Sequence, residues 1–251
     1  MHDLFELVSF MDRELRTAAI SDYPGAMNGL QLANNGIVNR ILSAVDASLP
    51  VVEIAAADGP ALLIVHHGMF WQGAQAITGP FYRKIKVAMD AGLAIYASHL
   101  PLDVHPEWGN NMLLAKAIGL MNPRPFCEQK GLEIGLVGEM AISRDELSIR
   151  LASAVGGHVH VCTAGPMAPK RVAVITGGAG SEVAKVASHG VDTFITGEGP
   201  HWSFPIAEEL GINVFYAGHY ATETFGVREL GRVLSERFHL PHSFIDRPTG
   251  L

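Results

Sequence analysis

Two adjacent imidazoles end the apolar run Ile64-Val65-His66-His67-Gly68. Residues 62–65 are branched on both faces with no alternation, which predicts a buried parallel strand. Ligands of open α/β sheets gather beyond the carboxyl ends of such strands. Successive side chains on a strand point to opposite sides. Both histidines can therefore serve one site only if the backbone turns between them, which Gly68 permits, or each histidine takes its own ion. The rest of the chain supports the second arrangement.

A repeated motif supplies the remaining donors. Tyr96-Ala97-Ser98-His99-Leu100-Pro101-Leu102-Asp103 is echoed by Tyr216-Ala217-Gly218-His219-Tyr220-Ala221-Thr222-Glu223, each with the pattern Tyr-Ala-x-His-x-x-x-acid at the end of a predicted strand. Glu198 follows another strand, in Thr196-Gly197-Glu198. Collected, the strand ends offer His66, His67, His99, Asp103, Glu198, His219 and Glu223. Neutral imidazole suits zinc, iron, manganese and nickel, and carboxylates add charge and can bridge. The set exceeds what one tetrahedral ion needs. Without metal, the gathered carboxylates would repel one another, so the cluster favours a cation. Two ions about 3.5–4 Å apart would use all of these groups and activate a water for hydrolysis. Glu198 reads as a general base, a partner of a ligand or a helix N-terminal charge; His201 is a weaker candidate, against an exposed first-turn residue.

The elements that must position these groups alternate. Asp3 to Glu6 has capping-box form and opens a helix. Strands are expected at 41–46, 62–65, 93–97, 132–137, 158–162, 172–176, 193–196 and 213–217, with helices at 50–57, 81–91, 110–118, 181–189, 203–210 and 221–238 and one opening at the capping box Ser143 to Glu146 and ending at Gly156-Gly157. Asn28 to Gln31 reads as loop, Pro123 and Pro125 as the close of the first half, and the residues after 238 as a polar tail. This alternation predicts an α/β protein of two related α/β lobes with mostly parallel sheets, 1–125 and 126–251, and a dinuclear metal site in the cleft between them. His66, His67, His99 and Asp103 then belong to the first lobe, and Glu198, His219 and Glu223 to the second.

Composition excludes other classes. The 251 residues carry a net charge of −7 and no basic run, which disfavours nucleic acid. No apolar stretch nears the roughly 20 residues that span a bilayer, and the acidic amino terminus does not resemble a signal peptide. Two cysteines without C-x-x-C spacing, Cys127 and Cys162, suggest neither disulfide framework nor thiolate site, so a cytoplasmic location is expected. Thr176 to Ser181 is glycine-rich between strand and helix, but it lacks the Walker lysine and a dinucleotide fingerprint; a plain turn is the better reading. Phe70, Trp71 and Trp202 flank the histidine loops and read as packing residues rather than base-stacking ones.

The Val-His-His-Gly strand end, His99-x-x-x-Asp103, Thr196-Gly197-Glu198 and Gly218-His219-Tyr220-x-x-Glu223 resemble the NGG-one-interacting-factor-three family, the YbgI-like dinuclear metal proteins. Several members are labelled GTP cyclohydrolase I type two homologue. Asn28-Gly29-Leu30-Gln31 fits the family's early loop and Gly109-Asn110-Asn111 its Gly-x-Asn, so the resemblance runs in order from 28 to 223. It implies His66, His67, Asp103, His219 and Glu223 as ligands of two divalent ions (zinc, iron or manganese), with His99 on or beside the second. It also implies a toroidal homohexamer, a trimer of dimers whose sites face an internal cavity. The middle insertion of longer members is absent, and nothing resting on it transfers. The resemblance implies a metal-dependent hydrolase of GTP cyclohydrolase type, opening the imidazole ring of a purine nucleotide while Glu198 and His99 serve as catalytic groups. The alternative is a non-catalytic ring that holds or delivers metal, or a regulatory scaffold.

Overall fold

The computed structural model describes residues 1–71, 73 and 75–250. The chain forms two compact units: Met1–Leu102 with Gly226–Arg247, and Asp103–Phe225 with the terminal residues from Pro248. Residue 125 lies inside the strand Met121–Gln129.

The first unit is built on a five-stranded sheet. Its strands run in the order His242–Phe244, Ile41–Asp46, Ala61–His67, Leu93–Ala97 and Gly29–Leu32. The first four pair in parallel, and the last is an antiparallel edge. Residues 28–31 were expected as loop, yet Gly29–Leu32 pairs with Leu93–Ala97 through an irregular register between Leu30 and Leu32. The tail after 238 likewise contains a strand, because Phe244 and Ile245 carry apolar bulk back to the sheet, where Ile245 is buried. Buried Val, Leu, Ile and Ala from the three central strands pack against the helices Leu49–Ala55 and Gly79–Asp90. Ser48 caps the former, with Pro50 in its first turn where no N–H is needed.

The second unit holds a six-stranded sheet in the order Met121–Gln129, Leu132–Glu139, Arg171–Val174, Thr193–Thr196, Asn213–Tyr216 and His160–Thr163. Parallel pairing holds in its centre, Arg171–Val174 to Thr193–Thr196 to Asn213–Tyr216. Antiparallel strands flank that centre. Pro123 and Pro125, expected to close the first half, lie in the edge strand Met121–Gln129, where a missing N–H is tolerated. The two halves of the core lie on the two faces of this sheet. The final helix, His219–Phe238, starts in the second unit and ends in the first.

Among the described residues, no helix is long and apolar enough to cross a membrane.

Candidate metal-binding residues

In the first unit the strand Ala61–His67 continues through both histidines. His66 is fully buried and His67 partly so. Gly68 has no left-handed backbone; its small size is what matters, because a Cβ there would lie 2.2 Å from Gln31 Nε2 and 2.7 Å from Ala97 Cβ. Gln31 Oε1 accepts from the Met69 N–H at 2.6 Å, which fastens the chain just after the histidines. His99 follows the strand Leu93–Ala97, and its own N–H donates to Asn28 Oδ1 at 2.7 Å. One ligand nitrogen from each of His66, His67 and His99 lies within 4.8 Å of the other two. Ring centroids are separated by 4.8 Å (66–67), 4.9 Å (66–99) and 5.8 Å (67–99). Extended backbone between two neighbours did not keep their imidazoles apart.

Each ring is oriented from behind. His66 Nδ1 lies 2.9 Å from the Ser98 carbonyl, His67 Nδ1 2.8 Å from Asp46 Oδ1, and His99 Nδ1 2.9 Å from Asp22 Oδ1. A carbonyl or an ionised carboxylate only accepts, so each Nδ1 carries the hydrogen and Nε2 is the nitrogen that could ligate a metal ion. This is the usual way a protein fixes the tautomer and aim of a metal-binding histidine. Asp46 stands opposite His67 in the parallel register. Asp22 also accepts from the backbone N–H groups of Tyr23 and Leu100 and from Asn28 Nδ2. Burial pushes its carboxyl up, but His99 and the other donors outweigh that and hold it at about 2. Trp71, expected as a packing residue, sets its ring edge-on to His67 and His99, centroids 5.5 and 4.9 Å away.

In the second unit His219 Nδ1 is 2.8 Å from Glu198 Oε1 and Nε2 is 3.2 Å from Glu223 Oε1, one helical turn further on. Burial alone would lower the His219 pKa; the hydrogen bonds and charges of Glu223 and Glu198 overcome it and raise the ring to about 9. A proton on Nε2 thus sits where the buried Glu223 carboxylate calls for positive charge, a place that a divalent ion fits equally. Glu198 is held behind His219, its side chain 44% exposed. The glycine-rich stretch is a tight turn against this pair: Gly177 has φ +69°, and a Cβ there would lie 2.2 Å from Glu223 Oε1. Its N–H donates to Thr222 Oγ1 at 3.0 Å. Asp103, which groups with this unit, accepts from Asn110 Nδ2 at 2.8 Å and Thr176 Oγ1 at 3.3 Å, while Asn111 binds its carbonyl and that of Ile134.

The structure therefore brings His66, His67 and His99 together, pairs His219 with Glu198 and Glu223, and places Asp103 in a polar clamp. Sequence reasoning missed Asp22 and Asp46. Asp46 had a signal, an acid at the end of a parallel strand; Asp22, in an irregular segment, had none.

These features describe an α/β protein carrying groups of oriented histidine and glutamate that could hold a metal ion. Residues 2–249 match the family model Duf34/NIF3 (NGG1p interacting factor 3), and the chain belongs to that family. A relative in Deinococcus radiodurans, named GTP cyclohydrolase 1 type 2 homolog, is 40% identical over 98% of this chain and 94% of its own. One of the same name in Pyrococcus horikoshii is 41% identical over 99% of this chain and 100% of its own. The solved structure of protein ybgI, described as of unknown function, superposes with a TM-score of 0.91 at 36% identity, covering 99% of this chain and 100% of that one.

Proposed function

We propose that this protein binds two divalent metal ions and uses them to hydrolyse a purine nucleotide, with GTP cyclohydrolase chemistry as the leading reaction. The observation that carries the metal reading is the common state of the four histidines: each gives its Nδ1 hydrogen to a carbonyl or carboxylate. Core histidines need no such uniform engagement of Nδ1. The ligands in this reading are His66, His67, Asp103, His219 and Glu223, with His99 on or beside the second ion. The donors, imidazole nitrogen and carboxylate oxygen, suit zinc, iron or manganese. Bound divalent ions would supply Lewis acidity and make water acidic enough to act near neutral pH.

The chain's own residues supply the rest. Asn110 and Thr176 fix the Asp103 carboxylate, and Asp22, Asp46 and the Ser98 carbonyl fix the rings. Glu198 is the candidate for proton transfer, since it touches His219 and is open to solvent. His99, beside the reacting position, is the other. The names of the relatives support the nucleotide assignment. We carry the homohexamer, a trimer of dimers, and the cytoplasmic location as parts of the same reading.

Elemental analysis of reconstituted protein is expected to give two ions per chain, falling in H67A and H219A variants. GTP with the loaded protein is expected to release formate. A chain that stays empty in zinc, iron and manganese overturns the metal reading. A loaded chain that yields no formate overturns the hydrolase and leaves a metal-holding role.

A further inference from the structure

A cavity of about 450 Å³ opens in the second unit beside Glu198. That is within the 300–1,000 Å³ usual for small-molecule sites. Its walls are largely apolar, from Pro200, Phe204, Pro205 and Tyr216, with His160 and His201 adding imidazoles. The His160 ring lies 5.5 Å from that of Phe204 and 6.2 Å from that of Tyr216, inclined by only 35° and 30°. These three rings give the cavity a flat aromatic lining of the kind that takes a planar heterocycle. Ser203 donates to the Pro200 carbonyl, so the Tyr216 hydroxyl, 2.8 Å from Ser203 Oγ, donates to Ser203. Tyr216 therefore offers the cavity its ring while its hydroxyl is engaged elsewhere.

Among the described residues of this lining the carboxylate is that of Glu198, whose Oε1 already accepts the His219 Nδ1 hydrogen. An ionised carboxylate has about four acceptor positions and no donor. Its remaining capacity therefore selects a ligand edge that carries hydrogens. We propose that this cavity is the ring site for the substrate and that Glu198 reads the adjacent N1–H and N2–H donors of a guanine-type base. An adenine edge would turn a lone pair toward the carboxylate and be rejected. In this complex Glu198 reads the ring and holds His219, so proton transfer at the imidazole end of the base falls to His99, the other catalytic candidate. This assignment rests on the nucleotide reading above and specifies its substrate class.

Calorimetric titration of the metal-loaded full chain with GMP, IMP and AMP tests it. GMP is expected to bind best, with IMP weaker by about tenfold to a hundredfold for one lost bond to a charged acceptor, and AMP weaker still. H160W, at an exposed edge-strand position, is expected to fill the cavity and abolish GMP binding at unchanged metal content and melting temperature. E198Q is expected to erase the GMP preference. Equal binding of GMP and AMP, or unaltered GMP binding by H160W, overturns the proposal. So does an H160W variant that changes only its oligomeric state, which would make the cavity a contact between copies. Selective GMP binding without GTP hydrolysis would leave the ring site standing and remove the hydrolase; hydrolysis unaffected by H160W would do the reverse.

Discussion

Asp22 offers the sharpest trial of the idea that the histidines are aimed from behind. Its side chain is 4% exposed, and its two oxygens accept four hydrogens, from His99 Nδ1, Asn28 Nδ2 and the N–H groups of Tyr23 and Leu100. Depression of its carboxyl from 3.8 to about 2 corresponds to about 2.5 kcal/mol of folding stability. Because the folded value is the lower one, this contribution is present above pH 3.8 and is lost as the pH falls through 2. Asp22→Asn removes the charge and turns an amide NH2 toward two of the four donors, whichever way it is placed. The expected loss is about 3 kcal/mol, which lowers the melting temperature by roughly 6–12 °C in a chain of this size. His99 would lose its fixed tautomer, and metal affinity should fall about 10- to 100-fold. Cobalt(II) titration in chelator-buffered solution, followed by visible absorption, reads the affinity; a thermal melt reads the stability. An Asp22→Asn protein that binds cobalt like the parent and melts within a degree of it would refute the argument.

Two further outcomes follow from the second unit. The His219 pKa of about 9 exceeds the ordinary 6.5, so the metal-free pair is stabilised fully below pH 6.5 and loses that support as the pH rises through 9. Metal must displace this proton, so zinc affinity should climb about tenfold per pH unit between 7 and 9 and then level. Calorimetry in buffers of different ionisation enthalpy counts the proton, and a flat profile contradicts the assignment. Gly177→Ala places a methyl on a left-handed backbone (φ +69°) and against Glu223 Oε1. It should cost about 1–3 kcal/mol and reduce metal content together, as urea unfolding and elemental analysis would register.

Much of this was legible because it is periodic or local. The strand 41–46, the strand 93–97 and the helix 203–210 came out at their observed bounds, since Asp46, Gly92 and Gly211 each mark one end. The histidines were legible because strand ends are where α/β proteins display ligands. What failed to show is non-local. Gly29–Leu32 and His242–Phe244 are strands only because a neighbouring strand offers them an edge. Asp22 has no pattern around it and acquires its role by folding back 77 positions along the chain to His99. The tight fit at Gly68 left no local trace, because the neighbours that require it, Gln31 and Ala97, are distant in sequence.

The pairing of His242–Phe244 with Ile41–Asp46 has a consequence for biosynthesis. Asp103–Phe225 has left the ribosome and can collapse while the opening hundred residues still wait for the strand that completes their sheet. The part made first is thus finished last. Emergence of His242–Phe244, rather than of His66 and His67, sets the moment at which those histidines gain their complete scaffold.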